Sequence, residues 1–253
     1  VAACAGRPML AELAGRGMAS AAEGEPTRPE DVVGRLLQAM DEAWVELLAL
    51  LVAGDATTTV ADLARLSERP VGPVDDTLQS LAAQGLVRRF GEAGPVGRVD
   101  LYHDFVRANL ESALGATRVL AAHRRWIRFL DEAHPDAAER RVRHLLAVDD
   151  VAGAATQARL AARRAEAQQA FGLAADLFGV ALRRPGQDEP SLLDARARAL
   201  EGAARYPEAA QTWRRLVALS TGQEAMDASL AEAHALLAAD DVVGGHARLN
   251  DTL

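Results

Sequence analysis

Residues 171–182 read FGLAADLFGVAL, and residues 206–217 read YPEAAQTWRRLV. Laid over one another at an offset of 35, Phe171, Ala174, Ala175, Phe178 and Leu182 fall on Tyr206, Ala209, Ala210, Trp213 and Val217. The shared pattern is aromatic, two small residues, aromatic, apolar, and its steps of three and four place it on one face of an α-helix. Each copy follows an alanine-rich helical stretch, about Val151 to Ala165 and Ser191 to Ala204. A fainter third copy, Val242, Gly245 and Leu249, stands a further 36 positions on. A helix pair repeated at this period has one apolar face that only a neighbouring pair can cover, so the pairs stack into a solenoid. Small residues let the two helices of a pair approach, and the aromatic fills the seam to the next pair.

Composition agrees with a helical chain. Of 253 residues, 55 are alanine, against ten aromatics and a single Ile. Alanine is the best helix former, whereas sheets favour the β-branched and aromatic types that are scarce here. All 28 basic residues are Arg, because the sequence contains no Lys. A phosphate loop, a kinase strand lysine and a Schiff base all require an ammonium group, so this chain is expected to be no enzyme of those kinds. There is no Gly-x-Ser-x-Gly elbow, and the six histidines lack the His-Glu-x-x-His spacing of a zinc helix. No cofactor and no metal are expected. The formal charge of −8 disfavours polyanions. Cys4 alone allows no internal disulfide, which suits a reducing, cytoplasmic compartment. The longest apolar run, Ala43 to Ala53, contains Glu46 and is too short to span a membrane.

Upstream of the repeats the pattern changes. Residues 1–29 read as a short helix and a loop, the tail of a preceding domain, and the chain ends at Leu253 inside a helical pattern, as a segment of a longer protein would. From Val32 to Val52 the apolar residues trace one long amphipathic helix, followed by a short helix capped by Thr58 or Thr59 and a third from about Pro73 to Gln84. Leu86–Phe90 and Arg98–Tyr102 alternate on either side of Gly91, Gly94, Pro95 and Gly97, the signature of a β-hairpin. Three helices and a hairpin make a winged helix-turn-helix over residues 30–102. Residues 103–150 form a helical linker, and residues 151–253 the repeats. The fold class is all-α with one small wing.

A winged helix, then Tyr102-His103-Asp104-Phe105-Val106-Arg107 opening the next helix, then helices leading into tetratricopeptide-like repeats, resembles the region downstream of the nucleotide-binding domain in bacterial STAND-class signalling ATPases. The resemblance covers nearly the whole chain, and the His-Asp-x-x-Arg stretch is its most specific element. It implies a non-catalytic relay: the repeats engage a protein partner, and the winged helix couples that event to a neighbouring ATPase or effector domain.

The residues themselves suggest two candidate sites. His103, Asp104 and Arg107 lie where wing meets helix, with Asp104 near the positive helix end and expected to pair with Arg107 while His103 packs under the wing. Arg196, Arg198 and Glu201 lie on the first helix of a repeat, the helix that lines a solenoid's concave face, and are candidate partner-binding residues. The clusters Arg124-Arg125-Arg128 and Arg140-Arg141-Arg143, interleaved with acids, read as ion-paired faces. A DNA-binding regulator is the alternative function. It requires basic residues on the third helix, where Asp75 and Asp76 stand instead, so nucleic acid is not the expected partner.

Overall fold

The computed structural model describes residues 29–54, 57–92, 94–184 and 186–252. The tail over residues 1–29 and Cys4 therefore fall outside the described residues, Pro29 apart. The chain divides into two compact units at His134–Pro135, inside the stretch expected to be a linker.

The first unit contains α1 (Pro29–Gln38), α2 (Glu42–Ala53), β1 (Thr58–Thr59), α3 (Val60–Leu66), α4 (Val71–Ala83), β2 (Val87–Phe90), β3 (Arg98–Leu101) and α5 (Asp104–Ala133). The single helix expected over residues 32–52 is two helices. Asp41 is extended at φ −62° and ψ 145°, and its carbonyl accepts from Trp44 N to start α2. A break this short leaves the apolar periodicity in phase, which is why the sequence reads straight through it. Helix α2 is buried on every side from Leu47 to Ala53 and forms the centre of this unit.

The hairpin is present, with Val87 opposite Leu101 and Phe90 opposite Arg98. A third strand was not expected: Thr58 and Thr59 pair with Val99 and Arg98, giving the order β1-β3-β2. Two threonines are too short a run to show alternation. Thr59 also caps α3, its hydroxyl accepting from Asp62 N at 3.0 Å. Gly115, at φ 75° and ψ 155°, kinks α5, a backbone setting that only glycine adopts freely.

On α5, His123 is buried at 8% exposure, and burial lowers its pKa against a smaller opposing pull from Glu111. The unfolded chain therefore takes up a proton at a higher pH than the folded one, so this histidine's share of stability is lost as pH falls below about 6.5. Denaturant midpoints between pH 7.5 and 5.5 should fall less steeply in His123→Gln than in the parent. Parallel slopes would refute the assignment.

The second unit is a run of helices: α6 (Ala138–Ala147), α7 (Val151–Ala167), α8 (Phe171–Ala181), α9 (Glu189–Gly202), α10 (Tyr206–Leu219), α11 (Gly222–Ala238) and α12 (Val242–Thr252), with a 3-10 turn at Gly186–Asp188 before α9. Each packs chiefly on its neighbours in sequence. The repeat is visible residue by residue. Phe171 and Tyr206 open α8 and α10 half-buried, Ala174, Ala175, Ala209 and Ala210 are buried, and Phe178 and Trp213 lie in the core at 0% and 4% exposure. A Cβ placed on Gly202 of α9 would come within 2.8 Å of the Phe171 ring, so the ring rests on that glycine.

The turns repeat as well. Gln169, Ala204 and Asp240 all have positive φ, at 60°, 56° and 63°, and the offsets are those of the apolar pattern. Each is followed by the same closing bond: Ala170 N to Ala165 O, Arg205 N to Leu200 O, and Asp241 N to Leu236 O, at 2.9, 2.8 and 2.9 Å. These are the six-to-one bonds of a Schellman helix end, and they fix α11–α12 as the third pair. Left-handed backbone disfavours a side chain carrying Cβ, so Ala204→Gly should raise stability by about 1 kcal/mol in urea unfolding. A loss of stability would contradict the left-handed turn.

Arginines stitch successive pairs. Arg159 of α7 reaches Asp188 at 2.7 Å and the carbonyl of Arg184 at 3.0 Å. Arg205 bridges Asp176 of α8 and Glu208 of α10, both at 2.7 Å, which holds the Glu208 carboxyl below the usual carboxylate range. Not every arginine expected on a solvated face lies there: Arg125 pairs with Glu46, but Arg141 is buried, donating to Gln157 Oε1 at 2.9 Å and the Pro135 carbonyl at 3.4 Å.

Candidate functional site

Two groups of polar residues stand out, one in each unit. The first surrounds Arg107. A helix ends in carbonyls with no partner in the helix, and α2 ends inside the core, where water cannot supply one. Arg107 Nη1 donates to the carbonyls of Val52, Gly54 and Leu51 at 2.6, 2.8 and 3.0 Å, and Nη2 approaches Asp100 at 3.4 Å. Trp126 Nε1 donates to the Leu50 carbonyl at 2.9 Å. The cation sits at the negative end of the α2 dipole, where its charge is favoured. Arg107 therefore turns toward α2 and Asp100, not toward Asp104. His103 and Asp104 are exposed at the start of α5, and His103 is not packed under the hairpin. Of the three residues expected at this joint, Arg107 makes the contacts, because its side chain is long enough to leave its own helix.

The hairpin's outer face carries Arg88 between two half-exposed rings, 5.5 Å above Phe90 and 5.8 Å above Tyr102, with Val96 exposed nearby in sequence. Arg89 points the other way and is held by Asp75 of α4. Of the basic residues on this hairpin, one is thus neutralised by the helix that would have to face nucleic acid.

The second group lines a cleft of about 900 Å³ within the second unit. Asp194, Arg198 and Glu201 project into it from α9 at steps of four and three, the spacing of one helical face. Glu224, Asp227, Ala228, Ala231, His234 and Ala235 do the same from α11, and Trp213 and Leu216 of α10 provide an apolar floor. Trp213 Nε1 donates to Glu201 at 2.8 Å, which fixes both the indole and the carboxylate. Arg198 Nε contacts Asp194 at 3.0 and 3.1 Å while its guanidinium lies 5.9 Å from the Trp213 ring centre. Carboxylates, Asp194 foremost, raise the Arg198 pKa. Arg198 and Glu201, of the three candidates on this helix, line the cleft. Arg196 faces α8, near Gly179, and is not among the cleft residues. The α11 contribution was not anticipated, because the third repeat is faint in its aromatic positions while its alanines at 228, 231 and 235 are commonplace in this chain.

The cleft offers shape, carboxylates and an indole. Among the described residues no cluster of three or more His, Cys, Asp or Glu side chains could hold a metal ion, and no helix is long and apolar enough to cross a membrane. Neither a protein-family model nor a curated protein matches the sequence. Among solved structures the chain is similar to a Signal Transduction ATPase with Numerous Domains (STAND) protein with a tetratricopeptide repeat sensor from Pyrococcus horikoshii. The TM-score is 0.51 at 15% identity, over 99% of this chain and 36% of that one. The likeness is one of fold, and the chain spans about a third of that protein's length.

Proposed function

We propose that the chain is a non-catalytic interaction and relay module of a larger bacterial STAND-type signalling protein in the cytoplasm. Its tetratricopeptide-like repeats bind a protein partner, and the winged helix of residues 30–102 couples that event to a neighbouring ATPase or effector domain. The observation that carries this reading is the α9–α10–α11 cleft: concave, floored by Trp213 and Leu216, and lined by the first helices of two successive repeats. The fold likeness to a protein with a repeat sensor supports it. On the winged helix, the half-exposed Phe90 and Tyr102 offer an apolar face for a neighbouring domain. Relay follows if the partner prefers one of two arrangements of these domains. The alternative of a DNA-binding regulator is disfavoured by the Arg89–Asp75 pair and by the acids on α4.

A photo-crosslinking residue at His234, exposed in the cleft, should join a protein partner in the native host, and the same residue at Leu160, exposed on α7, should not. Equal adducts at both positions, or none at His234, would overturn the reading.

A further inference from the structure

The cleft carries an imbalance of charge that narrows the class of partner. Five carboxylates line it, against one arginine. Asp188 is neutralised by Arg159 and Asp194 by Arg198, whereas Glu201, Glu224 and Asp227 have no cation within ion-pair distance among the described residues. These three stand on the two helices that flank the apolar floor. A rim on which carboxylates outnumber cations is a poor seat for an acidic or purely apolar segment and a good one for a guanidinium, which pairs with carboxylates.

The cleft already holds one such group. Arg198 rests beside the buried Trp213 ring while Asp194 holds its Nε, so the chain displays in its own side chain the carboxylate contact an incoming arginine would make.

Resting on the reading that this cleft is a protein-docking site, we infer that its partner is a cationic peptide segment whose arginines pair with Glu201 of α9 and with Glu224 and Asp227 of α11. An aliphatic stem below each guanidinium suits the alanine-lined wall of α11, which leaves room for it.

The test is a selection of random displayed peptides on the full chain, with affinities then read by fluorescence anisotropy. Two comparison proteins are used: the charge-removed variant Glu201→Gln, Glu224→Gln, Asp227→Asn, and Ala231→Trp, which fills the cleft without altering its charge. Should Ala231→Trp fail to fold, His234→Trp at an exposed position of the same wall replaces it. Arginine-rich peptides are expected, weakened about tenfold by the charge-removed variant and displaced by the filled one. Neutral or acidic peptides displaced by the filled variant would overturn the cationic class and leave the docking site standing. Arginine-rich peptides that bind all three proteins alike would overturn the inference as non-specific attraction. Selection yielding no peptide sensitive to filling would sink the docking reading itself.

Discussion

Arg107→Ala should lower the stability of the first unit by about 3 kcal/mol, with unfolding followed by Trp44 and Trp126 fluorescence in a Trp213→Phe background. The size follows from what is left behind. Three carbonyls at the end of α2 lose a charged donor, and α2 is the most buried helix of that unit. Hydrogen bonds from a charged group are worth more than neutral ones, and an orphaned buried acceptor adds its desolvation cost. Arg107→Lys keeps the charge at the helix end but cannot spread its donors over the same fork, so it should recover part of the loss. His103→Ala and Asp104→Ala, at exposed positions, should change stability by less than about 0.5 kcal/mol. A harmless Arg107→Ala would mean that the end of α2 is satisfied some other way.

The other large effect lies at the end of the repeats. Glu232 of α11 is 1% exposed, with Arg214 of α10 at 2.7 Å and Arg248 of α12 at 2.6 Å. One carboxylate thus joins three helices. Glu232→Ala should cost about 3 kcal/mol, because it leaves the partly buried Arg248 without its counter-ion and opens a gap among the helices. Arg214 is 63% exposed along its side chain and can turn to water, so Arg214→Ala should cost well under 1 kcal/mol. Urea unfolding followed by Trp213 fluorescence gives both values. Equal losses from the two substitutions would show that the pair with Arg214, not the burial of the carboxylate, matters.

How much of this was legible in the sequence depended on whether a feature is local or periodic. The repeat was legible at Phe171 and Tyr206 because close helix packing demands small residues at fixed spacing. Gly91 and Gly94 between β2 and β3 marked a turn because few other residues take their positive φ. The turns at Gln169, Ala204 and Asp240 were hidden, since the packing of the flanking helices forces left-handed backbone on residues that do not advertise it. Strand β1 was hidden because two residues carry no alternation, and the break at Asp41 because a one-turn interruption keeps the apolar face in phase.

The sites divide in the same way. The sequence offers Arg196, Arg198 and Glu201 together because all stand on the first helix of a repeat, but a step of two turns Arg196 off the face that Arg198 and Glu201 share, toward α8. The partner of Arg107 could not be read, since the carbonyls it binds lie more than fifty positions earlier in the chain. Glu232 looked like any surface acid. Its role depends on two arginines brought in by helices on either side.

Hydrogen exchange of the full chain, alone and with a peptide obtained by the selection described above, bears most directly on the claim that the repeats dock a partner between their first helices. Slowed exchange concentrated in α9, α10 and α11, with α4 and the β2–β3 hairpin unchanged, is the predicted result. Protection that spares α9 and α11 and falls on α4 or the hairpin would contradict it.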